Sequence, residues 1–217
     1  MSDTGECLAN SLGLKHREDY ESVKQYDQTR FRSARMRRLD AREKAFARLA
    51  FDLVGPQAAI LDVPCGNGRF FDIFSQSRQL TMADYSENML KACREKHNPG
   101  KNVQLIRSDI AALPLPDGSV DLAFCMRLFH HMTTDAMRSA ALRELARVSR
   151  KYVALSFYNC RSFRYCRKKL FGRKIAHGYI TAGHLTALAR EAGLSLVHRV
   201  PKVNLVEQQC MMIFEKK

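Results

Sequence analysis

The sequence lacks any long apolar run, and no stretch approaches the roughly 18 residues that a membrane-spanning helix needs. Its first twenty residues, MSDTGECLANSLGLKHREDY, contain no continuous apolar segment, which argues against a secretory signal. The seven cysteines form no CxxC pair, are odd in number and lie mostly among apolar neighbours. This usage is typical of reduced thiols, so we expect a cytoplasmic protein.

Acidic residues are scarce relative to basic ones. Thirty-six Lys and Arg stand against 22 Asp and Glu, which gives a formal net charge of +14. Such an excess favours acidic partners, namely RNA, anionic lipid headgroups or phosphorylated metabolites, and says nothing about fold. The basic residues concentrate in two segments, 30–48 with eight Lys and Arg and 161–174 with seven and no acid.

Strand-like and helix-like patterns alternate through the middle of the chain. Strand-like runs cover 58–63, 79–84, 102–107, 120–126 and 151–157, and helix-like segments lie at about 33–53, 68–77, 86–97 and 134–149. The alternation indicates βαβ units and a parallel sheet with both faces covered. After a helix from Thr181 to about Ala192, two strand-like runs follow with no helix between them, so they must be antiparallel. We therefore predict one α/β domain with a seven-stranded mixed sheet.

The segment AAILDVPCGNGRFFDIF, residues 58–74, joins the first strand to the next helix through two glycines. In an open α/β sheet, ligands bind at the carboxyl ends of the strands, where the strand order reverses. Gly66 and Gly68 would let the backbone approach such a ligand closely, although a plain turn explains the pair equally well. A dinucleotide fingerprint needs a third glycine, and Phe71 occupies that position, which argues against an NAD-binding fold.

Two aspartates end neighbouring strands of the predicted sheet. Asp84 follows the second strand, where a carboxylate can accept both hydroxyls of a ribose, or can instead accept N–H groups of the next helix. Asp109 follows the third strand, where it can reach an adenine amino group or close an Asx-turn. Met126 and Arg127 end the fourth strand, across the crevice from the first.

Four stretches taken together carry a family resemblance. ILDVPCGNGRF, ADYSENML, SDIAALPLPDGSVDLAFCM and LFHHM stand in the order and spacing typical of class I S-adenosylmethionine-dependent methyltransferases, particularly the methyltransferase type 11 group. The resemblance covers about residues 45–217. It implies a Rossmann-like doubly wound sheet in the order 3-2-1-4-5-7-6, with the last strand antiparallel and helices on both faces. It also implies S-adenosyl-L-methionine as cofactor and S-adenosyl-L-homocysteine as product.

The resemblance also assigns roles to particular residues. Asp62, Gly66 and Gly68 would line the methionine half of the cofactor, Asp84 would hold the ribose, Tyr85 and Met89 would flank the adenine, and Asp109 and Ile110 would contact its edge; Met126 and Arg127 complete the predicted site. Tyr26 and Arg30 lie in YDQTRF, which resembles a lid but fits a helix entry equally well. Pro64 departs from the glycine more common at its position, and it would stiffen the turn without obstructing it.

The domain organisation follows from these assignments. Residues 1–32 are predicted to form an N-terminal arm and lid, and residues 33–217 the methyltransferase domain, with a basic substrate-cover insertion at about 159–178. His130 and His131 follow the fourth strand and are the predicted catalytic bases, of which at most one should face the pocket if they lie on a helical turn. The alternative is one packed and one solvated histidine. No cluster has the spacing of a metal site.

The nature of the methyl acceptor stays open at this level. The mixture of aromatic and basic residues in 161–174 suits single-stranded RNA, an anionic membrane surface, or a solvated face with a few apolar anchors. We expect a small or lipid-like, anionic acceptor, because no RNA-binding domain or nucleobase-specific motif is recognisable. The alternatives are an RNA methyltransferase and a non-catalytic S-adenosylmethionine-binding partner subunit or sensor.

Overall fold

The structure is a computed structural model that describes residues 20–24, 30–172, 175, 178–200 and 208–217. Within these residues the strands are β1 (Ala59–Asp62), β2 (Gln79–Asp84), β3 (Val103–Arg107), β4 (Val120–Cys125), β5 (Ser149–Asn159), β6 (Tyr179–Ile180), β7 (Leu194–Val200) and β8 (Gln209–Lys216). They form one sheet in the order β3-β2-β1-β4-β5-β8-β7, and β6 pairs with the end of β5. Strands β1 to β5 are parallel to one another.

The predicted sheet order is confirmed, with one strand added. Strand β8 runs antiparallel to both β5 and β7, as the absence of a helix between the last two strands requires. The additional strand β6 has only two residues, too few for an alternating pattern, and it pairs Tyr179 with Tyr158 of β5. The terminal hairpin therefore consists of β7 and β8 rather than of a sixth and a seventh strand.

The helices are α1 (Tyr20–Lys24), α2 (Ala34–Val54), α3 (Phe71–Phe74), α4 (Glu87–His97), α5 (Asp135–Val148), α6 (Phe163–Leu170) and α7 (Ala182–Glu191). Five of them begin after a Ser or Thr whose side-chain oxygen accepts a backbone N–H three residues on, namely Ser33, Ser86, Thr134, Ser162 and Thr181. Such caps satisfy N–H groups that the helix itself leaves unpaired. Helix α3 is much shorter than the predicted 68–77, because the glycine turn extends to Phe70, which has no capping side chain.

The core lies on both faces of the sheet, as the continuous apolar strands predicted. All four residues of β1 are buried, and successive side chains point to opposite faces. Ile60 packs with Phe74 and Phe124 on one face, whereas Leu61 packs with Phe129 and Leu145 on the other. Burial of each such side chain contributes about 1.5–3 kcal/mol, so this two-sided core holds the carboxyl ends of β1, β2 and β4 at one edge. In the part of the chain that the structure describes, no helix is long and apolar enough to cross a membrane.

Candidate functional site

A cleft opens at the carboxyl ends of β1, β2 and β4, where the strand order reverses. It encloses about 590 Å³, including the space at its open mouth. Its walls are Arg30 and Phe31, residues 64–67, 69 and 70 of the glycine turn, Asp84, Met89, Met126, Arg127, His130 and His131. The fold therefore brings together at one edge residues that lie a hundred positions apart in the chain.

The two glycines of the turn are required for different reasons. Gly66 has a φ of +57° and Gly68 a φ of +82°, in the region that favours glycine. A Cβ added at Gly66 would meet no atom within 4 Å, whereas one at Gly68 would lie 2.8 Å from the Cys93 sulfur and 2.6 Å from the His97 ring. Gly66 thus borders the open cleft, and Gly68 allows the turn to pack closely on helix α4. Between Asp62 and this turn, the Val63–Pro64 peptide bond is cis.

Asp84 holds the turn in place from the neighbouring strand. Its side chain is buried, and its two oxygens accept the backbone N–H groups of Gly66 at 2.8 Å and of Ser86 at 2.9 Å. The local role considered for Asp84, as acceptor for the next helix, is therefore real. This role leaves Asp84 able to accept a hydrogen bond from a ligand, because each carboxylate oxygen has a second lone pair and Asp84 lines the cleft.

Asp62 is a fully buried carboxyl group without a hydrogen-bond donor. Neither of its oxygens has a partner among the described residues. Burial raises the pKa of Asp62 well above its ordinary value, the nearby Asp84 raises it further, and Arg69 opposes both. An isolated buried carboxylate is costly unless a cation compensates it, so the surroundings of Asp62 favour a positive charge nearby, although Asp62 itself does not line the cleft.

A buried ion-pair network supports the cleft from below. Glu43 of α2 is fully buried and contacts Arg69 at 2.5 Å, Arg127 at 3.2 Å and the side-chain amide of Gln209 at 2.5 Å. Burial raises the pKa of Glu43, and Arg69 opposes that shift. Arg127 has a left-handed backbone, with a φ of +63°, and its N–H donates to the Ser156 hydroxyl at 2.8 Å. The charged cluster is thus held by residues of helix α2, the glycine turn, the segment after β4 and strand β8.

Arg69 joins this network to the cleft wall. It pairs with Asp40 at 2.7 Å, and its guanidinium lies 4.6 Å from the centre of the Phe31 ring and 4.9 Å from that of Phe70. Neither Glu43 nor Arg69 was singled out from the sequence. The available signal was that Asp40 and Glu43 are acids among the arginines in the first half of helix α2.

Both histidines line the cleft, so the expectation that at most one would do so is wrong. His130 is buried and stacks on Tyr158 with ring centres 4.1 Å apart, and the His131 ring lies 4.2 Å from that of His130. The expectation assumed a helical turn, but residues 128–132 form tight turns in which His131 N–H donates to the Leu128 carbonyl. Within the described residues, no group of three or more His, Cys, Asp or Glu side chains could hold a metal ion.

The remaining predicted residues fall into two groups. Arg30, Gly66, Asp84, Met89, Met126 and Arg127 line the cleft. Asp62, Gly68, Tyr85, Asp109 and Ile110 lie outside its walls. Asp62 is fully buried at the end of β1, Asp109 accepts the Ala111 N–H at 2.9 Å, which is the Asx-turn alternative, and Ile110 is buried in the core. Tyr26 and the residues up to position 29 of the predicted lid lie outside the described residues.

Comparison with known proteins identifies the architecture. Residues 60–152, from the first strand through the start of β5, match the methyltransferase domain family. These residues include the glycine turn, Asp84 and the two histidines of the cleft. The resemblance of this part of the chain to class I S-adenosylmethionine-dependent methyltransferases is thereby confirmed.

Relatives of this methyltransferase domain differ widely in what they act on. An uncharacterized chloroplastic methyltransferase of Arabidopsis thaliana is 30% identical over 159 residues, which cover 65% of this chain and 44% of that protein. The tRNA (carboxymethyluridine(34)-5-O)-methyltransferase of Mus musculus is 33% identical over 91 residues, covering 42% of this chain and 13% of that protein. The chain therefore spans less than half the length of these curated relatives.

A solved structure shares the whole architecture of the methyltransferase domain. Magnesium protoporphyrin IX methyltransferase of Synechocystis PCC 6803, crystallised with S-adenosylhomocysteine, superposes with a TM-score of 0.72. The match covers 95% of this chain and 100% of that one at 14% sequence identity. At that identity the likeness establishes the fold alone.

Proposed function

We propose that this protein is a methyltransferase that transfers the methyl group of S-adenosyl-L-methionine to a small or lipid-like, anionic acceptor, with S-adenosyl-L-homocysteine as product. The observation that carries the proposal is the cleft at the carboxyl ends of β1, β2 and β4, where the open main chain at Gly66 and the Asp84 carboxylate line one wall. The buried Asp62 carboxyl, without a donor among the described residues, ends the adjacent strand β1. The Asp84 carboxylate in the cleft wall and the nearby buried Asp62 favour a cationic ligand, and the cofactor carries both an ammonium and a sulfonium group.

The residues present fit that cofactor. In our proposal Gly66 contacts the methionine half, Asp62 acts on it through its charge from outside the cleft wall, Asp84 accepts the ribose hydroxyls and Met89 flanks the adenine. The open space beside Gly66 and the left-handed backbone there support close approach of a ligand to the main chain. Arg30 and Phe31, at the other wall, border the same cleft and lie at the end of the proposed lid.

Methyl transfer depends more on the positioning of the acceptor atom than on catalytic side chains. The cofactor supplies an activated methyl group on sulfur, so the protein's task is to hold the acceptor atom in line, which is worth about 7–11 kcal/mol in favourable cases. His130, fixed by its stack on Tyr158, and His131 beside it are the proposed general bases for an acceptor that starts protonated. The unprotonated ring nitrogen of one of these histidines would accept the acceptor's proton as the methyl group is transferred.

The charge at the cleft supports an anionic acceptor. Arg30, Arg69 and Arg127 all line it, and the part of the chain around it is strongly basic. Arg127 is held by Glu43 through one nitrogen and its side chain retains 16% exposure, so its guanidinium can meet a further anion. We also propose peripheral contact with anionic membranes and a cytoplasmic location, where thiols such as those of Cys65 and Cys93 stay reduced.

RNA is the second candidate acceptor. The relative that acts on tRNA and the basic surface both favour it. A non-catalytic S-adenosylmethionine-binding subunit is the third reading, and it would keep the same cofactor site without turnover.

The first experiment measures cofactor binding and transfer separately. Calorimetry with S-adenosylhomocysteine and with NAD should show binding of the first alone. The protein is then incubated with methyl-labelled S-adenosylmethionine and a cell extract that is fractionated into lipid, RNA, protein and small molecules. Label in the lipid or small-molecule fraction supports the proposal, and label in RNA replaces it with the second candidate. Binding without label in any fraction favours the non-catalytic reading.

A further inference from the structure

The C-terminal third of the domain contains a long stretch without acidic residues. Between Glu144 and Glu191 there is no Asp or Glu, but there are eleven Lys and Arg: Arg147, Arg150, Lys151, Arg161, Arg164, Arg167, Lys168, Lys169, Arg173, Lys174 and Arg190. Five of them lie within residues 161–169, in and just before helix α6. Arg147, Arg150 and Lys151 pair with acids that lie outside this stretch. The five basic residues of 161–169 have no acid within their own stretch of sequence, so α6 carries a local positive charge.

Helix α6 also exposes large apolar side chains. No residue of the helix is buried, and Phe163, Leu170 and the adjoining Phe171 are 64%, 81% and 67% exposed. These are three of the six large hydrophobic residues that are exposed in the described part of the chain. Phe163 and Leu170 are seven residues apart, which places them on the same side of the helix. A cluster of this kind on a short element indicates an interaction surface.

A row of aromatic rings connects this helix to the cleft. Tyr165 of α6 lies with its ring centre 4.6 Å from that of Tyr179, which in turn lies 5.7 Å from Tyr158. Tyr158 stacks on His130 at the cleft wall. The helix is anchored at this inner side, and its cap, Ser162, is buried and accepts the Tyr165 N–H at 3.3 Å. The helix that carries the exposed apolar side chains is thus linked to the cleft wall through Tyr165, Tyr179 and Tyr158.

We propose that helix α6, together with Arg161 and Phe171, is a docking surface for a membrane with anionic headgroups. Basic residues beside exposed Phe and Leu suit a surface that offers negative charge above an apolar layer. A second copy of the chain fits poorly, since two such helices would bring like charges together. Single-stranded RNA would neutralise the charges but would leave Leu170 without a stacking partner. The docking of α6 on a membrane does not depend on the proposed function. The further step, in which docking delivers a lipid-borne acceptor to the cleft, rests on the proposed function.

The test is co-sedimentation of the full chain with vesicles of phosphatidylcholine alone and of phosphatidylcholine with about one quarter phosphatidylglycerol. We expect the wild type to bind only the anionic vesicles and to dissociate at high salt. The apolar variant Phe163→Ser/Leu170→Ser and the charge variant Arg167→Gln/Lys168→Gln/Lys169→Gln should each bind at least about tenfold more weakly.

Matched controls use equivalent changes elsewhere. Leu53→Ser/Val197→Ser removes two apolar residues that are 45% and 47% exposed, and Arg35→Gln/Arg38→Gln/Arg48→Gln removes three exposed charges of helix α2. Both controls should bind vesicles like the wild type. An equal loss of vesicle binding in a control and in its α6 counterpart would overturn the assignment to α6. A wild type that does not bind anionic vesicles but binds a single-stranded polyuridine probe would overturn it as well.

S-adenosylhomocysteine affinity, measured on the same preparations, separates the two proposals. The α6 variants should keep that affinity, which shows that they are folded. Loss of vesicle binding with cofactor affinity intact supports the docking surface whether or not transfer is ever detected. If the wild type docks but binds no S-adenosylhomocysteine, the proposed function fails and the membrane surface stands.

Discussion

The glycine turn, residues 64–70, follows the carboxyl end of β1 and helix α6 follows that of β5, but the two are built in opposite ways. The turn is tied to its surroundings by buried groups: Asp62 and Asp84 are at most 1% exposed, and Gly66 and Cys65 donate their N–H groups to β2. Helix α6 buries none of its residues and carries only basic charge. The turn is fixed by buried contacts, as the proposed cofactor site requires, whereas α6 leaves its apolar and charged groups in solvent, as the proposed docking surface requires.

The comparison has an energetic consequence. Groups in and beneath the turn are desolvated, so removing one partner leaves another unpaired at a cost of about 1–3 kcal/mol or more. Groups on α6 are hydrated in the free protein, so their removal should weaken binding to a partner and leave the free energy of unfolding nearly unchanged. The following changes test that difference, from the largest expected effect to the smallest.

Glu43→Ala should have the largest effect on stability. It leaves the guanidinium groups of Arg69 and Arg127 beside an empty buried site, and breaking a buried ion pair from one side costs about 3–5 kcal/mol. For a chain of this size that lowers Tm by about 2–4 °C per kcal/mol in thermal unfolding. The control is Asp117→Ala, which removes a 79% exposed carboxylate from Arg147 and should cost less than about 1 kcal/mol. Equal costs would mean that the Glu43 network is as solvated as the surface pair.

Asp84→Ala should lower S-adenosylhomocysteine affinity by about 100-fold or more. The carboxylate holds the Gly66 and Ser86 N–H groups and is the proposed ribose acceptor, and each charge-assisted hydrogen bond contributes about 1.5–3 kcal/mol. Calorimetry measures the loss. Asp121→Ala is the matched control, since Asp121 also accepts a backbone N–H, that of Ala59 at 2.9 Å, but at the opposite end of β1. It should cost stability and leave the affinity unchanged; a loss of affinity in both variants would point to general damage.

Asp62→Asn should stabilise the free protein and weaken cofactor binding. The amide has the same shape without the charge, so it avoids the cost of ionising a buried group beside Asp84. We expect a gain of about 1–3 kcal/mol in the free energy of unfolding, and at least about tenfold weaker S-adenosylhomocysteine binding. A variant that is less stable than the wild type at neutral pH would show that Asp62 is already compensated within the protein.

The same variant gives a pH test with a defined sign. Because the pKa of Asp62 is raised in the folded protein, its folded state holds a proton that the unfolded chain releases above its ordinary pKa of about 3.9. The contribution of Asp62 to stability is therefore fully present below that value and is lost as pH rises toward the folded pKa. The stabilisation by Asp62→Asn should grow with pH over this window in denaturant titrations. A constant difference from acid to neutral pH would contradict the raised pKa.

The smallest effects come from a pair of helix caps. Ser86→Ala removes the acceptor of the Met89 N–H in α4 and should lower global stability by about 1 kcal/mol, because α4 is packed against the sheet. Ser162→Ala removes the equivalent acceptor of the Tyr165 N–H in α6. Loss of this acceptor should accelerate amide hydrogen exchange within α6. It should lower Tm by less than about half of the decrease caused by Ser86→Ala. Similar shifts of Tm for both would show that α6 unfolds together with the core.

The elements with strong local signals were predictable from the sequence. Alternating apolar runs and Ser or Thr caps located the parallel strands and the starts of α2, α4, α5 and α7 within a few residues. Strand β6 and the shortness of α3 were not predictable, because a two-residue strand has no period and the glycine turn consumes residues whose composition resembles a helix. Most of the predicted site residues meet at the cleft, whereas Asp109 closes its own turn and Gly68 packs on α4.

By itself the sequence determined the class of fold, the turn at Gly66 and the uneven distribution of charge, because these depend on local periodicity, backbone conformation and residue counts. Only the tertiary structure decided that Glu43 would be buried between Arg69 and Arg127, that Asp62 would have no donor among the described residues, and that a row of rings would link His130 to α6. Such arrangements depend on contacts between residues up to 166 positions apart, as Glu43 and Gln209 are. Their chemistry arises from desolvation, which no single segment of the chain can produce alone.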